Sequence, residues 1–291
     1  PDQTPAKIGV LGAGLMGAGI TYAAAGAGID VVLIDRDGSA AEAGKAKSEE
    51  LISSQVARGR ATAAERDELL SRLTPSDDFA ALADVGLIVE AVFEDRAVKA
   101  DVTKKAEAVI GEDVVFGSNT STLPISGLAD ASARPENFIG VHVFSPVHRM
   151  ELVEIIVGEK TSPTALAAAL DFVRAIGKTP IVVNDSRGFY TSRVVATYVG
   201  EGHAMLGEGV PPAMIENVGQ IAGMPVGPLA LNDEVGVDLA LAISRAAKAD
   251  LGDAYEAPGD DLLAAMVDAH GRLGRKNAKG FYDYPKNGKK R

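Results

Sequence analysis

A glycine-rich hexamer, Gly12-Ala-Gly-Leu-Met-Gly17, constrains the fold of this chain more than any other feature. It stands between a short apolar run at 7–12, which predicts a buried strand, and a helical pattern at 16–28. In that setting the first glycine permits a tight turn, the second lets backbone approach a pyrophosphate, and the third allows close helix packing. The N–H groups at the helix start favour an anion. The pattern predicts a dinucleotide site; the alternative is a glycine-rich turn without a cofactor.

A second predicted strand, 30–35, ends on Asp35, about twenty residues after the hexamer. A carboxylate there accepts hydrogen bonds from ribose hydroxyls and repels a 2′-phosphate, which favours NAD over NADP. Arg36 weakens this preference, because an arginine can accommodate a phosphate. Backbone N–H groups can hold an anionic cofactor even on a chain with a net charge of −11. The same acid excess disfavours a nucleic-acid binder, and the lack of cysteine excludes thiol or thiolate–metal chemistry, so no metal is predicted.

Apolar runs alternate with helical stretches through the first part of the chain. Strands are predicted at 7–12, 30–35, 85–92, 114–118, 138–144, 152–157 and 180–183. This alternation predicts a mostly parallel sheet covered on both faces. Beyond 186 the periodicity is helical, at 191–206, 211–222, 235–251 and 260–270. We therefore predict an α/β fold, with a Rossmann-type NAD-binding domain over 1–186 followed by an all-α domain over 187–291.

A histidine and a glutamate are the candidate catalytic pair. His142 stands near the end of a predicted strand, where open α/β sheets bind ligands. Glu154 interrupts an apolar run, and a buried carboxylate needs a partner. A His–Glu pair would orient the imidazole and make it a base, which alcohol oxidation with NAD requires. The alternative is a core histidine with Glu154 at a strand edge.

The run Ser118-Asn-Thr-Ser-Thr122 follows another predicted strand. Its hydroxyl and amide groups are suited to binding a substrate oxygen at the same edge of the sheet. The alternative is a turn followed by a helix N-cap.

Taken together, these motifs resemble the L-3-hydroxyacyl-CoA dehydrogenase family, most of all the dehydrogenase part of the multifunctional fatty acid β-oxidation α-subunit. The resemblance covers nearly all 291 residues. Besides the runs already quoted it includes Val89-Glu-Ala-Val-Phe-Glu-Asp95, Gly140-Val-His142, Leu152-Val-Glu154, Gly188-Phe189, Pro225-Val-Gly-Pro228, Asp233-Glu-Val-Gly-Val-Asp238 and Gly274-Arg-Lys-Asn-Ala-Lys-Gly-Phe-Tyr282.

The resemblance implies a role for each matching residue. His142 is expected to be the general base, Glu154 its orienting partner, and Ser121 and Ser192 the groups that hold the substrate oxygen. Where the family usually has asparagine, this chain has Ser145 and Ser192, whose shorter side chains we expect to shift geometry or rate. The expected cofactor contacts are Gly12, Gly14, Leu15, Met16, Gly17, Asp35, Arg36, Ala91, Val92, Glu94, Lys99 and Asn119.

The expected reaction is reversible NAD-dependent oxidation of an L-3-hydroxyacyl-CoA to the 3-ketoacyl-CoA, in fatty acid β-oxidation or short-chain acyl-CoA metabolism. The expected partner is an acyl-CoA thioester, in a cytoplasmic protein without a membrane span or nucleic acid. The resemblance also implies that the helical domain over 187–291 binds substrate and forms a dimer contact. The protein is expected to be a homodimer or part of a larger multifunctional polypeptide. Lys45, Lys47, Arg58 and Arg60 are candidates for the phosphates of CoA.

Two alternatives stay open. One is a dehydrogenase of free 3-hydroxy acids; such enzymes typically carry a lysine base where this chain has Ser192-Arg193. The other is a non-catalytic NAD-binding subunit.

Overall fold

The computed structural model describes residues 4–255 and 259–285. The chain forms two compact units that divide after Ser192, a few residues beyond the boundary predicted at 186. The first unit contains the strands β1 Lys7–Leu11, β2 Asp30–Ile34, β3 Leu73–Ser76, β4 Leu87–Glu90, β5 Val115–Ser118, β6 Phe138–Val143, β7 Leu152–Val157 and β8 Thr179–Asn184.

In the described part of the chain, six α-helices accompany these strands and five more follow. The first six are α1 Leu15–Gly26, α2 Gly38–Ala57, α3 Ala63–Ser71, α4 Arg96–Glu107, α5 Ile125–Ala129 and α6 Pro163–Ala175. The others are α7 Thr191–Gly207, α8 Pro212–Ile221, α9 Pro228–Val235, α10 Val237–Leu251 and α11 Asp260–Ala264. Within the described residues, no helix combines the length and the apolar character needed to cross a membrane.

The strands form one eight-stranded sheet in the order β3-β2-β1-β4-β5-β6-β7-β8. The first six strands in this order, β3-β2-β1-β4-β5-β6, are all parallel to one another. β7 then pairs antiparallel with β6 and parallel with β8. The first six strands therefore end at the same edge of the sheet, and β7 begins there. This edge carries the candidate site.

Both faces of the sheet are covered, as the apolar strands predict. Alternate residues point to opposite faces: Val10 belongs to one buried cluster with Phe172, and Leu11 belongs to a second with Phe116. In the second cluster the rings of Phe116 and Phe138 stack with centroids 5.2 Å apart. Together with the helices of the second unit, this architecture confirms the predicted fold class.

Three local features differ from the sequence predictions or sharpen them. β3 was not predicted, because its run Leu-Thr-Pro-Ser has one buried residue and a proline, which edge strands tolerate. α9 was not predicted either; it ends at Val235, and Gly236 at φ +111° separates it from α10. The predicted break near 58–62 is confirmed, since α3 starts after Thr62 in a capping box with Glu65.

The second unit has its own small core of Val237, Leu241, Leu263 and Met266. Its closing motif is held by Asp233, which is 1% exposed. The Asp233 carboxylate accepts hydrogen bonds from the N–H groups of Phe281 and Tyr282 and from the hydroxyl of Tyr284. The motif Gly274–Tyr282, quoted above for the family resemblance, therefore has a structural role: hydrogen bonds to Asp233 hold this end of the described chain against α9.

One buried histidine in this unit predicts a pH dependence of stability. His203 is 3% exposed, stacks on Phe281 with ring centroids 5.1 Å apart, and within the described chain its Nε2 has no hydrogen-bond partner. Burial lowers the pKa of His203 from 6.5 to about 4, against a smaller opposing effect of Asp260. Its contribution is therefore fully present above pH 6.5 and is lost as pH falls towards 4, because the unfolded chain binds the proton more tightly.

We expect the His203→Leu variant to lack this titration. Between pH 7 and pH 4, the wild type should lose about 3 kcal/mol of unfolding free energy relative to the variant. Urea unfolding of both proteins at each pH measures the difference. A difference that stays constant with pH would show that His203 titrates alike in the folded and unfolded chains.

Candidate active site

The residues predicted from separate motifs converge on one edge of the sheet. Gly12 follows β1, Asp35 follows β2, Ala91 follows β4 and Asn119 follows β5, while His142 is the penultimate residue of β6. They converge because these strands are mutually parallel, so their carboxyl ends share an edge.

The glycine turn has little room for side chains at two of its three glycines. Gly12 has φ +96°, and a Cβ on it would lie 2.6 Å from the Ala91 carbonyl oxygen. A Cβ on Gly17 would lie 1.7 Å from the Gly12 carbonyl oxygen. A Cβ on Gly14 would meet no atom within 4 Å, so the turn is open there. A closely packed turn with an open middle glycine fits a dinucleotide.

The start of α1 is suited to an anion. Its N-cap is Gly14, which offers no side-chain hydrogen bond, and its first turn carries no acidic residue. The positive end of the helix dipole is therefore left for a ligand. The Asp35 carboxylate accepts the Ala13 N–H at 2.6 Å. The residue predicted to bind the ribose hydroxyls therefore lies against the glycine turn. The neighbouring Arg36 side chain is exposed and pairs with Asp37.

Two large apolar side chains are exposed beside these polar groups. Leu15 is 71% exposed and Phe93, three residues beyond β4, is 78% exposed. Val92 and Met16 are half-buried between the core and this edge. Both side chains are therefore accessible to a ligand at this edge. Sequence reasoning did not single out Phe93, although it lies in a quoted motif.

Lys99 is buried under the edge. It is 2% exposed, and its ammonium lies 2.9 Å from Glu90 Oε1 and 3.2 Å from Glu94 Oε2. Glu90 is 1% exposed and also accepts hydrogen bonds from the Ser118 hydroxyl and the Val92 N–H. Glu90 was not predicted as a site residue, because nothing in the apolar run of β4 shows which cation it meets.

Glu94 holds the loop that carries Ser121. Its Oε1 accepts the Thr120 hydroxyl at 2.6 Å, the Ser121 N–H at 2.9 Å and the Thr122 N–H at 3.2 Å. Burial raises the pKa of Glu94, but the charge of Lys99 and the hydrogen bond from Thr120 outweigh this effect and lower it. The ionised Glu94 thus fixes the loop while Ser121 itself is exposed. Contact of Glu94 and Lys99 with a cofactor stays a prediction.

Asn119 joins this loop to β6. Its side-chain oxygen accepts the Val143 N–H at 2.8 Å, and its own N–H donates to the Glu90 carbonyl. The predicted cofactor residue therefore also sets the position of the strand that carries His142.

His142 and Glu154 are directly opposite each other in the antiparallel pairing of β6 and β7. Their Nδ1 and Oε2 atoms are 2.7 Å apart, and the residues are 5% and 0% exposed. A carboxylate only accepts hydrogen bonds, so Nδ1 carries the proton and Nε2 is the basic nitrogen. The structure thus brings together the two residues that the sequence predicted as a pair.

Glu154 is also held by the start of α7. Its Oε1 accepts the N–H groups of Tyr190 and Thr191 at 3.0 and 2.8 Å, and its Oε2 accepts the Thr191 hydroxyl at 2.7 Å. With His142 these donors fill the roughly four acceptor positions of a carboxylate. Burial raises the pKa of Glu154, but the hydrogen bonds from His142 and Thr191 outweigh this effect and lower it. Glu154 is therefore a buried anion.

Sequence reasoning missed Thr191 and named its neighbour Ser192. The available signal was its position, a hydroxyl residue at the predicted start of a helix. Ser192 is half-buried on the first turn of α7, and Ser145 is exposed beyond β6. Their contacts with substrate stay predictions.

Comparisons with known families match both parts of the chain. Residues 7–186 match the family model described as 3-hydroxyacyl-CoA dehydrogenase, NAD binding domain. Residues 188–284 match 3-hydroxyacyl-CoA dehydrogenase, C-terminal domain.

Curated relatives extend beyond this chain. It is 42% identical over 293 aligned positions to the fatty acid oxidation complex subunit alpha of Shewanella sp. (strain W3-18-1), which covers 99% of this chain and 41% of the relative. The same protein of Shewanella baltica (strain OS185) is 42% identical and is covered over 40% of its length. The chain thus spans about two fifths of the curated relatives it matches.

Solved structures are similar over nearly the whole chain. The (S)-3-hydroxybutyryl-CoA dehydrogenase of Ralstonia eutropha has a TM-score of 0.91 and 35% identity, with 97% of this chain and all of that chain covered. The 3-hydroxybutyryl-CoA dehydrogenase of Escherichia coli K12 has a TM-score of 0.89 and 30% identity, covering 97% of this chain and 60% of the other.

Proposed function

The chain belongs to the 3-hydroxyacyl-CoA dehydrogenase family, and we propose that His142 is the base with which it interconverts an L-3-hydroxyacyl-CoA and a 3-ketoacyl-CoA. NAD is the cofactor, consistent with the glycine turn and Asp35. The observation that carries the proposal is the buried His142–Glu154 pair at the same sheet edge as that turn.

The chain's own residues handle the proton. The glycine turn and Asp35 would hold NAD, which would supply the hydride acceptor for oxidation at C3 and the hydride donor for the reverse reaction. His142 Nε2 takes the hydroxyl proton as the alcohol is oxidised and gives it back in the reducing direction. Its Nδ1–H stays bonded to Glu154, whose negative charge stabilises the imidazolium that forms. Because Glu154 is held by Tyr190 and Thr191, the imidazole keeps one orientation throughout.

The substrate oxygen is held by serine hydroxyls. Ser121 donates from the loop fixed by Glu94, and Ser192 donates from the start of α7. At Ser192 the family usually has an asparagine. The serine hydroxyl can still donate one hydrogen bond, but its side chain is shorter than that of asparagine.

The names of the relatives support a place in fatty acid oxidation. Because those relatives are named as subunits of a fatty acid oxidation complex, we propose that this chain also acts within such a complex, with an acyl-CoA thioester as substrate. A homodimer through the helical unit and a cytoplasmic location stay predictions.

A direct assay tests the function. We expect NADH absorbance to fall when the protein is mixed with acetoacetyl-CoA or with longer 3-ketoacyl-CoA thioesters, and to stay constant with free acetoacetate. Turnover of the free acid alone would favour a dehydrogenase of free 3-hydroxy acids. Tight NADH binding without turnover of any thioester, across short, medium and long chains, would favour a non-catalytic subunit.

A further inference from the structure

A lysine of α2 reaches the glycine turn. Lys47 Nζ lies 3.1 Å from the carbonyl oxygen of Ala13, the residue between the first two glycines of the turn. The Ala13 peptide is therefore bonded on both sides, because its N–H donates to Asp35. An ammonium is thus held at the turn predicted to bind a pyrophosphate.

Helix packing sets this position. A Cβ on Gly44, one turn before Lys47, would lie 2.6 Å from the Ala13 Cβ, so α2 rests directly on the turn. One residue after Lys47, the buried Ser48 hydroxyl donates to the Ala18 carbonyl of α1. These contacts fix the helix on both sides of Lys47 and aim its side chain at the turn.

Among the described residues, no acidic side chain pairs with the Lys47 ammonium. Over the described ranges 4–255 and 259–285 it forms no ion pair, and the residue is exposed. An ammonium has three N–H donors, and the Ala13 carbonyl takes one of them. The start of α1 beside it likewise lacks a side-chain cap and acidic residues. The ammonium and the uncapped helix start therefore both offer N–H donors to an anion at the turn, beside the Asp35 carboxylate.

We propose that Lys47 is a contact for the diphosphate of the bound dinucleotide. The inference rests on the proposed function, since it takes NAD as the ligand. The sequence groups Lys47 with candidates for the phosphates of CoA, whereas its bond to Ala13 points to the cofactor. A charge-assisted hydrogen bond to a phosphate then adds to the N–H groups of the turn.

The chain offers a matched control on the same helix. Lys45 Nζ donates to the Leu73 carbonyl, also at 3.1 Å, but on the side of β3 and away from the turn. Lys45→Met and Lys47→Met therefore remove the same charge from the same helix, and each removes one bond to a carbonyl.

NADH binding is measured by fluorescence titration without any thioester present. We expect Lys47→Met to raise the Kd for NADH about tenfold. Lys45→Met should stay within about twofold of wild type, and Lys47→Arg, which keeps the charge, within about threefold. Thermal unfolding of each variant verifies that it is folded.

Fragments of the cofactor locate the contact. In displacement of NADH, Lys47→Met should weaken ADP-ribose about tenfold and leave adenosine unchanged, because only the former carries the diphosphate. Unchanged NADH affinity, or equal weakening by both lysine variants, would overturn the inference. So would an unchanged NADH affinity with a raised KM for acetoacetyl-CoA, which would assign Lys47 to the thioester. In each of these cases wild-type turnover persists, whereas a wild type that neither binds NADH nor turns over thioesters contradicts the proposed function itself.

Discussion

Replacement of His142 by glutamine is expected to lower thioester turnover about a thousandfold. Glutamine can still donate a hydrogen bond to Glu154, which lies 2.7 Å from the imidazole, but it cannot take a proton at neutral pH. Because the glycine turn and Asp35 follow other strands, β1 and β2, NADH affinity should stay within a few-fold of wild type. Steady-state turnover of acetoacetyl-CoA and a fluorescence titration of NADH measure the two quantities.

The comparison of turnover with binding gives this result its meaning. A variant that has lost both turnover and NADH affinity would point to a damaged fold, which the thermal transition would reveal. A folded His142→Gln protein that keeps turnover within about tenfold of wild type would mean that another group is the base.

Replacement of Glu154 by glutamine should have the second largest effect, with kcat falling about a hundredfold. The wild-type carboxylate accepts four hydrogen bonds from His142, Tyr190 and Thr191. An amide replaces one accepting oxygen by a donor, so two of these donors then face an N–H group. In the variant, an N–H group facing Nδ1 favours the tautomer in which the proton of His142 is on Nε2. Nε2 can then no longer accept the proton of the substrate hydroxyl. The buried donors left without partners should also lower the unfolding free energy by about 3 kcal/mol.

Thr191→Val is the matched control for Glu154→Gln. It removes one hydrogen bond from the carboxylate but keeps the charge and the bond to His142. We expect kcat to fall less than about tenfold, and the unfolding free energy to fall by about 1.5 kcal/mol. KM values for NADH and acetoacetyl-CoA should change little in either variant. Equal losses of kcat in the two variants, or a loss carried mainly by KM, would show that the charge of Glu154 is not what supports His142.

Local pattern predicted most of the strands because each depends on its own residues. The predicted run 152–157 coincides with β7, and 30–35 differs from β2 by one residue. β3 could not be predicted from local pattern, because its residues form a strand only through their pairing with β2. α9 was hidden by its proline-rich start, which also reads as a turn.

The sequence also supplied the main groups of the site, with limits that have a physical cause. A strand's register cannot be read from its own residues, and a slip of one position between β6 and β7 would turn Glu154 to the other face. The ion pairs of Lys99 with Glu90 and Glu94 could not be predicted for a similar reason. The sequence shows these charged residues, but only the packing of the buried groups decides which of them pair.

Groups that belong to short stretches of chain could therefore be identified without the fold: the glycine turn, the acidic residue after β2, and His142 and Glu154 as candidate catalytic residues. The contacts between those stretches could be known only from the tertiary structure. Whether His142 meets Glu154, whether Thr191 completes the shell of that carboxylate, and whether Lys47 rather than Lys45 faces the glycine turn all depend on packing between distant segments. Hydrogen bonds act over about 3 Å, while sequence patterns fix only the order and periodicity of residues along the chain.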